Sequence, residues 1–125
     1  MNVADSSAWL EYFADGPNAE HFAPVVEDPE ALLVPSITLF EVFKRVRMQR
    51  DSEIALHAVS QMRKGRVIDL DADLAVAAAD LSADLTMPLA DSIILATARA
   101  FDATLWTQDS DFDGLEGVEY RAHRG

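Results

Sequence analysis

The sequence predicts an α/β sandwich built on a mainly parallel sheet. Three observations carry this. Short apolar runs of about four residues alternate with amphipathic helical stretches along the whole chain. One of those runs, Ala31-Leu32-Leu33-Val34, is apolar throughout, as a strand buried on both faces requires. Half of the 125 residues are apolar, enough for a real core, and the length fits one domain, since domains cluster at roughly 100–150 residues.

The chain opens with a strand over Asn2–Asp5, followed by a helix from Ser7 to Ala14 with Trp9, Leu10 and Phe13 on one face. Asp15-Gly16-Pro17-Asn18 stops it. A short helix over Glu20–Glu27 ends near Pro29, and Ala31–Val34 forms the second strand. Pro35-Ser36 opens a helix carrying Ile37, Phe40, Glu41, Phe43, Lys44 and Met48. Asp51 or Ser52 caps the next, which runs through Arg63 to a stop at Gly65. Val67–Leu70 reads as a strand and Ala72–Leu85 as an Ala-rich helix. Met87-Pro88 breaks the chain before a helix over Leu89–Phe101. Ala103–Thr107 is a strand, Gln108–Gly117 an acidic loop, and Val118–Arg121 a last edge strand. The tail from Arg121 is expected to fray. No linker, repeat or low-complexity segment interrupts residues 1–125, which are expected to form a single domain.

Composition narrows the chemistry. With no Cys, disulfides, thiolate metal sites and Cys nucleophiles are excluded. His21, His57 and His123 have no paired spacing, which argues against zinc, and all three read as surface residues. No apolar run reaches the roughly 20 residues of a membrane span, and Met1–Ser7 lacks a basic signal-peptide start, so a soluble cytoplasmic protein is expected. The net charge of −12 argues against tight nonspecific binding to nucleic acid. Seven of the ten basic residues nevertheless fall between Lys44 and Arg66. That island is either the solvated faces of two helices or a patch that steers phosphate or docks a partner.

Four acids stand out. Asp5 and Asp109 lie beyond strand ends, where open α/β sheets gather ligands. Asp91 starts a helix among Leu89, Ala90, Ile93, Ile94 and Leu95, and Glu41 interrupts an apolar helical face. Each has an ordinary reading alone: Asp5 and Asp91 as helix caps, Glu41 as a solvent-facing residue, Asp109 as a turn residue. Together, four carboxylates in one cleft would repel one another unless a hard divalent cation such as Mg²⁺ or Mn²⁺ joined them.

These segments resemble the motifs of PIN-domain ribonucleases. Val3-Ala4-Asp5-Ser6-Ser7-Ala8-Trp9-Leu10 is similar to the first motif, and Thr38-Leu39-Phe40-Glu41-Val42 to the helix-borne Glu. The stretch Met87-Pro88-Leu89-Ala90-Asp91-Ser92-Ile93-Ile94-Leu95-Ala96-Thr97-Ala98 is similar to the third motif. Leu105-Trp106-Thr107-Gln108-Asp109-Ser110-Asp111-Phe112 is similar to the strand-end motif, with Trp106 where an aliphatic residue is usual. The small size looks like that of stand-alone VapC-type toxins of type II toxin–antitoxin pairs.

The resemblance implies a three-layer α/β/α fold, RNA hydrolysis by a water activated by Mg²⁺ or Mn²⁺, a cognate antitoxin and a homodimer. It implies Asp5, Glu41, Asp91 and Asp109 as catalytic metal ligands, Ser7 and Thr107 as supporting hydroxyls, and Asp111 as an outer acid. Arg45, Arg47 and Arg50 are candidates to steer RNA, with antitoxin docking an equal use for that segment. The alternatives are a non-catalytic PIN-like interaction module and another Mg²⁺-dependent nuclease or phosphatase.

Overall fold

The computed structural model describes residues 1–124. Five strands form one sheet: β1 (Asn2–Ala4), β2 (Leu32–Pro35), β3 (Arg66–Ile68), β4 (Thr104–Thr107) and β5 (Val118–Tyr120). Their order is β3-β2-β1-β4-β5, and all four neighbouring pairs are parallel. Parallel neighbours need crossover connections, which six helices supply. These are α1 (Ser6–Phe13), α2 (Ala19–Val26), α3 (Ser36–Gln49), α4 (Ser52–Met62), α5 (Ala72–Leu85) and α6 (Leu89–Ala100). The architecture is a three-layer α/β/α sandwich.

Strand alternation divides the core into two layers. Ala4, Leu32 and Val34 point to one face, where they pack with Trp9, Phe22, Val42 and Met62 from α1 to α4. Val3, Leu33 and Leu105 point to the other, against Ile94, Leu95 and Ala98 of α6. Burying a side chain of this size contributes roughly 1.5–3 kcal/mol, so a few such residues fix the register. Asp51 and Asp71 cap α4 and α5, accepting from the amides of Ile54 and Leu74 at 2.8 and 2.9 Å. α5 ends on Thr86, whose left-handed φ of 51° turns the chain toward Pro88 and α6. No single helix among the described residues is long and apolar enough to cross a membrane.

The chain steps outward from β1 to β2 to β3, then returns to the far side of β1 for β4 and β5. The order therefore reverses at β1 and β4, and a crevice opens beyond their carboxyl ends.

Several local expectations are corrected. β3 begins at Arg66 and ends at Ile68, ahead of the expected Val67–Leu70, because pairing with β2 matches Leu33 to Arg66. The acidic loop holds a 3-10 turn, Ser110–Phe112, anchored by the fully buried Phe112. Leu89 is exposed, while Ile93 to Leu95 are buried as expected. His21 is only half-exposed: it lies against Trp106, ring centroids 5.4 Å apart, and its Nδ1 contacts Arg121 at 2.9 Å. The tail is not frayed as far as Arg124. Arg121 N–H donates to Thr107, Asn18 to the Ala122 carbonyl, and Arg124 to the Pro17 carbonyl. Gly125, included in the fraying expectation, lies outside the described residues.

Candidate metal centre

The end of β1 delivers Asp5 to the crevice and starts α1 there at the same time. Asp5 Oδ1 accepts from the Ala8 amide at 2.9 Å and from the Ser7 hydroxyl at 2.7 Å, and Oδ2 accepts from the Thr107 hydroxyl at 2.6 Å. Asp5 is thus a helix cap, as its ordinary reading holds, and also a wall of the crevice. A carboxylate offers about four lone-pair sites. Three donors leave one for a further contact.

Asp5 is 2% exposed, and burial pushes its carboxyl up to about 6, against the lowering pull of Thr107, Ser7 and Ala8. The contact of 3.4 Å between Ser7 and Thr107 is not a third bond, because both hydroxyl protons point to Asp5.

Asp5, Glu41, Asp91 and Asp109 line one open cavity of about 510 Å³. Glu41 comes from α3, where Ser6 donates to its Oε1 at 2.6 Å. Asp91 comes from the first turn of α6. Asp109 follows β4; its amide donates to Thr107 at 2.9 Å, and its carboxylate accepts from the Asp111 amide. Burial, then the charges of Asp109, Asp111, Asp5 and Glu41, pushes Asp91 up to about 7, every cause acting in the same direction.

The four acids picked from the sequence are therefore brought together. Oxygens of Asp91, Asp109 and Asp111 lie within 4.8 Å of one another, a cluster that draws in Asp111 and leaves Asp5 and Glu41 further along the wall. An all-oxygen donor set with mutual repulsion fits a hard divalent cation.

The arginines separate. Arg45 lines the acidic cavity. Arg50 shares with Arg45 an adjacent groove between α1, α3 and α4, and Arg47 lines an apolar hollow that has Phe40, Lys44 and Met48 in common with the acidic cavity. Reading residues 45, 47 and 50 as one patch missed this, because the side chains leave a helix in different directions. Two residues of the site were not singled out. Lys44 lines the cavity with Arg45, and helical spacing from Glu41 could have found it at i+3. Ser6, the partner of Glu41, had only its place beside Ser7 as a signal. Trp106 fits where an aliphatic residue was anticipated because its indole N–H donates to Asn2 at 2.9 Å.

The fold and this cavity define an α/β domain with a carboxylate centre at its topological switch point. The chain belongs to the PIN domain family, whose model matches residues 3–118. Among solved structures it is similar to a toxin–antitoxin complex from Klebsiella pneumoniae, at TM-score 0.80 and 23% identity, covering 95% of this chain and 96% of that one. It is similar to Mycobacterium tuberculosis VapC20, a sarcin–ricin loop cleaving toxin, at TM-score 0.76 and 18% identity, covering 94% and 98%. A DNA-bound VapBC from Salmonella typhimurium gives TM-score 0.74 and 17% identity, covering 98% of each chain. No curated protein matches the sequence significantly.

Proposed function

We propose that the protein is an endoribonuclease dependent on Mg²⁺ or Mn²⁺ and the toxin of a toxin–antitoxin pair. Residues 1–125 then form a single PIN-like domain that works in the cytoplasm, without a membrane, as a homodimer held in check by a cognate antitoxin. The observation that carries this reading is the convergence of Asp5, Glu41, Asp91 and Asp109 on one cavity at the switch point. Membership of the PIN domain family and the likeness of the fold to toxin–antitoxin structures support it.

In this mechanism Asp5, Glu41, Asp91 and Asp109 would hold the cation, with Asp111 beside them. A divalent cation held there supplies Lewis-acid activation of water and neutralises charge building on the scissile phosphate. Ser7 and Thr107 keep Asp5 ionised and aimed by donating to both of its oxygens. Ser6 does the same for Glu41. Asp91 is opposed by the charges of Asp109, Asp111, Asp5 and Glu41 as well as by burial, and a cation would relieve that opposition. Water attacks phosphorus in line, the P–O3′ bond breaks as the new P–O bond forms, and a proton is lost from the water while the 3′-oxygen gains one from solvent; the 2′-hydroxyl takes no part, and the products carry 5′-phosphate and 3′-hydroxyl ends.

The test is cleavage of a total-RNA pool with Mg²⁺, Mn²⁺ or EDTA, beside Asp91→Asn. Discrete metal-dependent products with 5′-phosphates are expected, absent from the variant. No cleavage and no thermal shift with Mn²⁺ would leave a non-catalytic interaction module.

A further inference from the structure

The cavity also carries groups that the carboxylate chemistry does not use. Phe40 lines it immediately before Glu41 in the chain, and its side chain is 61% exposed. Lys44, four residues on and so on the same helical face, holds its ammonium 5.9 Å from the Phe40 ring centroid. Arg45 follows it, and Leu10 and Ile94 supply apolar wall beside the acids. Among the lining residues Lys44 and Arg45 are the cations.

An exposed phenylalanine on a helix that buries Thr38, Val42 and Val46 contributes nothing to the core. Its ring is available to a ligand, and its neighbours say which kind. Carboxylates suited to a cation, an aromatic face and two cations share one cavity. A single-stranded nucleic acid alternates charged phosphates with flat, stackable bases.

Resting on the ribonuclease reading, we propose that Phe40 is a stacking platform for a nucleobase next to the scissile phosphate, with Lys44 and Arg45 contacting the flanking phosphates. Single-stranded RNA fits this wall better than a protein helix does. A protein helix would find wider apolar surface in the adjoining hollow, which shares Phe40, Lys44 and Met48 with this wall but adds Leu39, Phe43 and Val59 and lacks the acids. Stacking accepts every base, so the subsite demands an unpaired nucleotide rather than a particular one. It directs the enzyme to loops and single strands.

The test uses the full-length protein with its carboxylates intact and Ca²⁺ in place of Mg²⁺ or Mn²⁺, so that binding is read without cleavage. The probe is a short single-stranded oligoribonucleotide carrying 2-aminopurine at successive positions, whose fluorescence falls on stacking. Quenching at one position is expected. Adding Phe40→Ala should weaken binding about tenfold and abolish that quench, in line with the loss of one base–aromatic stack. Phe40→Trp should restore both, and Phe40→Leu should not.

Retained affinity and quenching in Phe40→Ala would overturn the subsite and leave the ribonuclease reading standing. Phe40→Leu behaving as Phe would overturn it in favour of an apolar protein contact. Absence of RNA binding by every variant, Phe40 intact or not, would overturn both readings. Because Phe40 is exposed, unchanged melting temperatures will show that the variants fold.

Discussion

The Thr107 hydroxyl donates 2.6 Å to Asp5 while accepting 2.9 Å from the Asp109 amide. One buried side chain thereby fixes the spacing of two acids that are far apart in sequence. Thr107→Val keeps the volume but leaves one Asp5 oxygen without its donor. We expect a loss of about 10- to 100-fold in Mn²⁺ affinity or in cleavage rate, with Thr107→Ser close to the parent. Mn²⁺ titrations followed by thermal shift check this; an unchanged affinity in Thr107→Val would remove the brace from the mechanism.

Asp91→Asn should separate stability from activity. It removes a charge that four neighbouring carboxylates oppose. The metal-free variant should melt higher than the parent, lose its thermal response to Mn²⁺, and cleave at least about 10²-fold more slowly. A lower melting temperature in EDTA would show that the repulsion is already relieved some other way.

The same repulsion gives the metal-free protein an unusual pH dependence. Asp5 is held up to about 6 and Asp91 up to about 7, both from an ordinary 3.8. Between those values the folded state keeps protons that the unfolded chain has released, so stability falls as pH rises. Melting temperature in EDTA should decline from about pH 4 to about pH 7 and then level, and saturating Mn²⁺ should flatten the decline. A rise over that interval would contradict the burial of Asp5 as a carboxyl.

The arginines of α3 should not contribute equally, since of Arg45, Arg47 and Arg50 only Arg45 lines the acidic cavity. Arg45→Glu, inside the cavity, should raise KM for RNA and reduce its salt dependence by about one phosphate contact. Arg47→Glu, in the adjoining hollow and outside the cavity lining, should change both less. Equal effects from the two would mean that the RNA path continues into the adjoining hollow.

Much of this was readable because strand and helix periods are simple. Val3 and Ala4 split between the two core layers as alternation requires, and Asp5 follows directly at the strand end. Glu41 was legible as a charge in an apolar run. Ser6 and Lys44 were not, since their roles depend on which helix faces which across the crevice. Asp111 joins the oxygen cluster only through a tight turn set by Phe112, and neither periodicity nor spacing encodes that turn. The tail looked free because its partners, Asn18, Pro17 and Thr107, are brought near only by the closed sheet.

Thr86 offers a test unrelated to the cavity. Its left-handed backbone costs a β-branched residue about 1–2 kcal/mol. Thr86→Gly should recover about 1 kcal/mol after glycine's own entropy, raising the melting temperature by roughly 3–5 °C with no change in metal response. A fall in melting temperature would show that the Thr86 side chain contributes more than its backbone strain costs.

The strand order has a consequence for synthesis. β1 is made first, yet its partner β4 and the acids beyond it arrive only with the final fifth of the chain. A chain still being translated therefore has Asp5 and Glu41 but lacks the other wall, and β1 waits as an open edge. A fragment that stops before β4 therefore lacks Asp109 and Asp111, and on the ribonuclease reading it should not cleave.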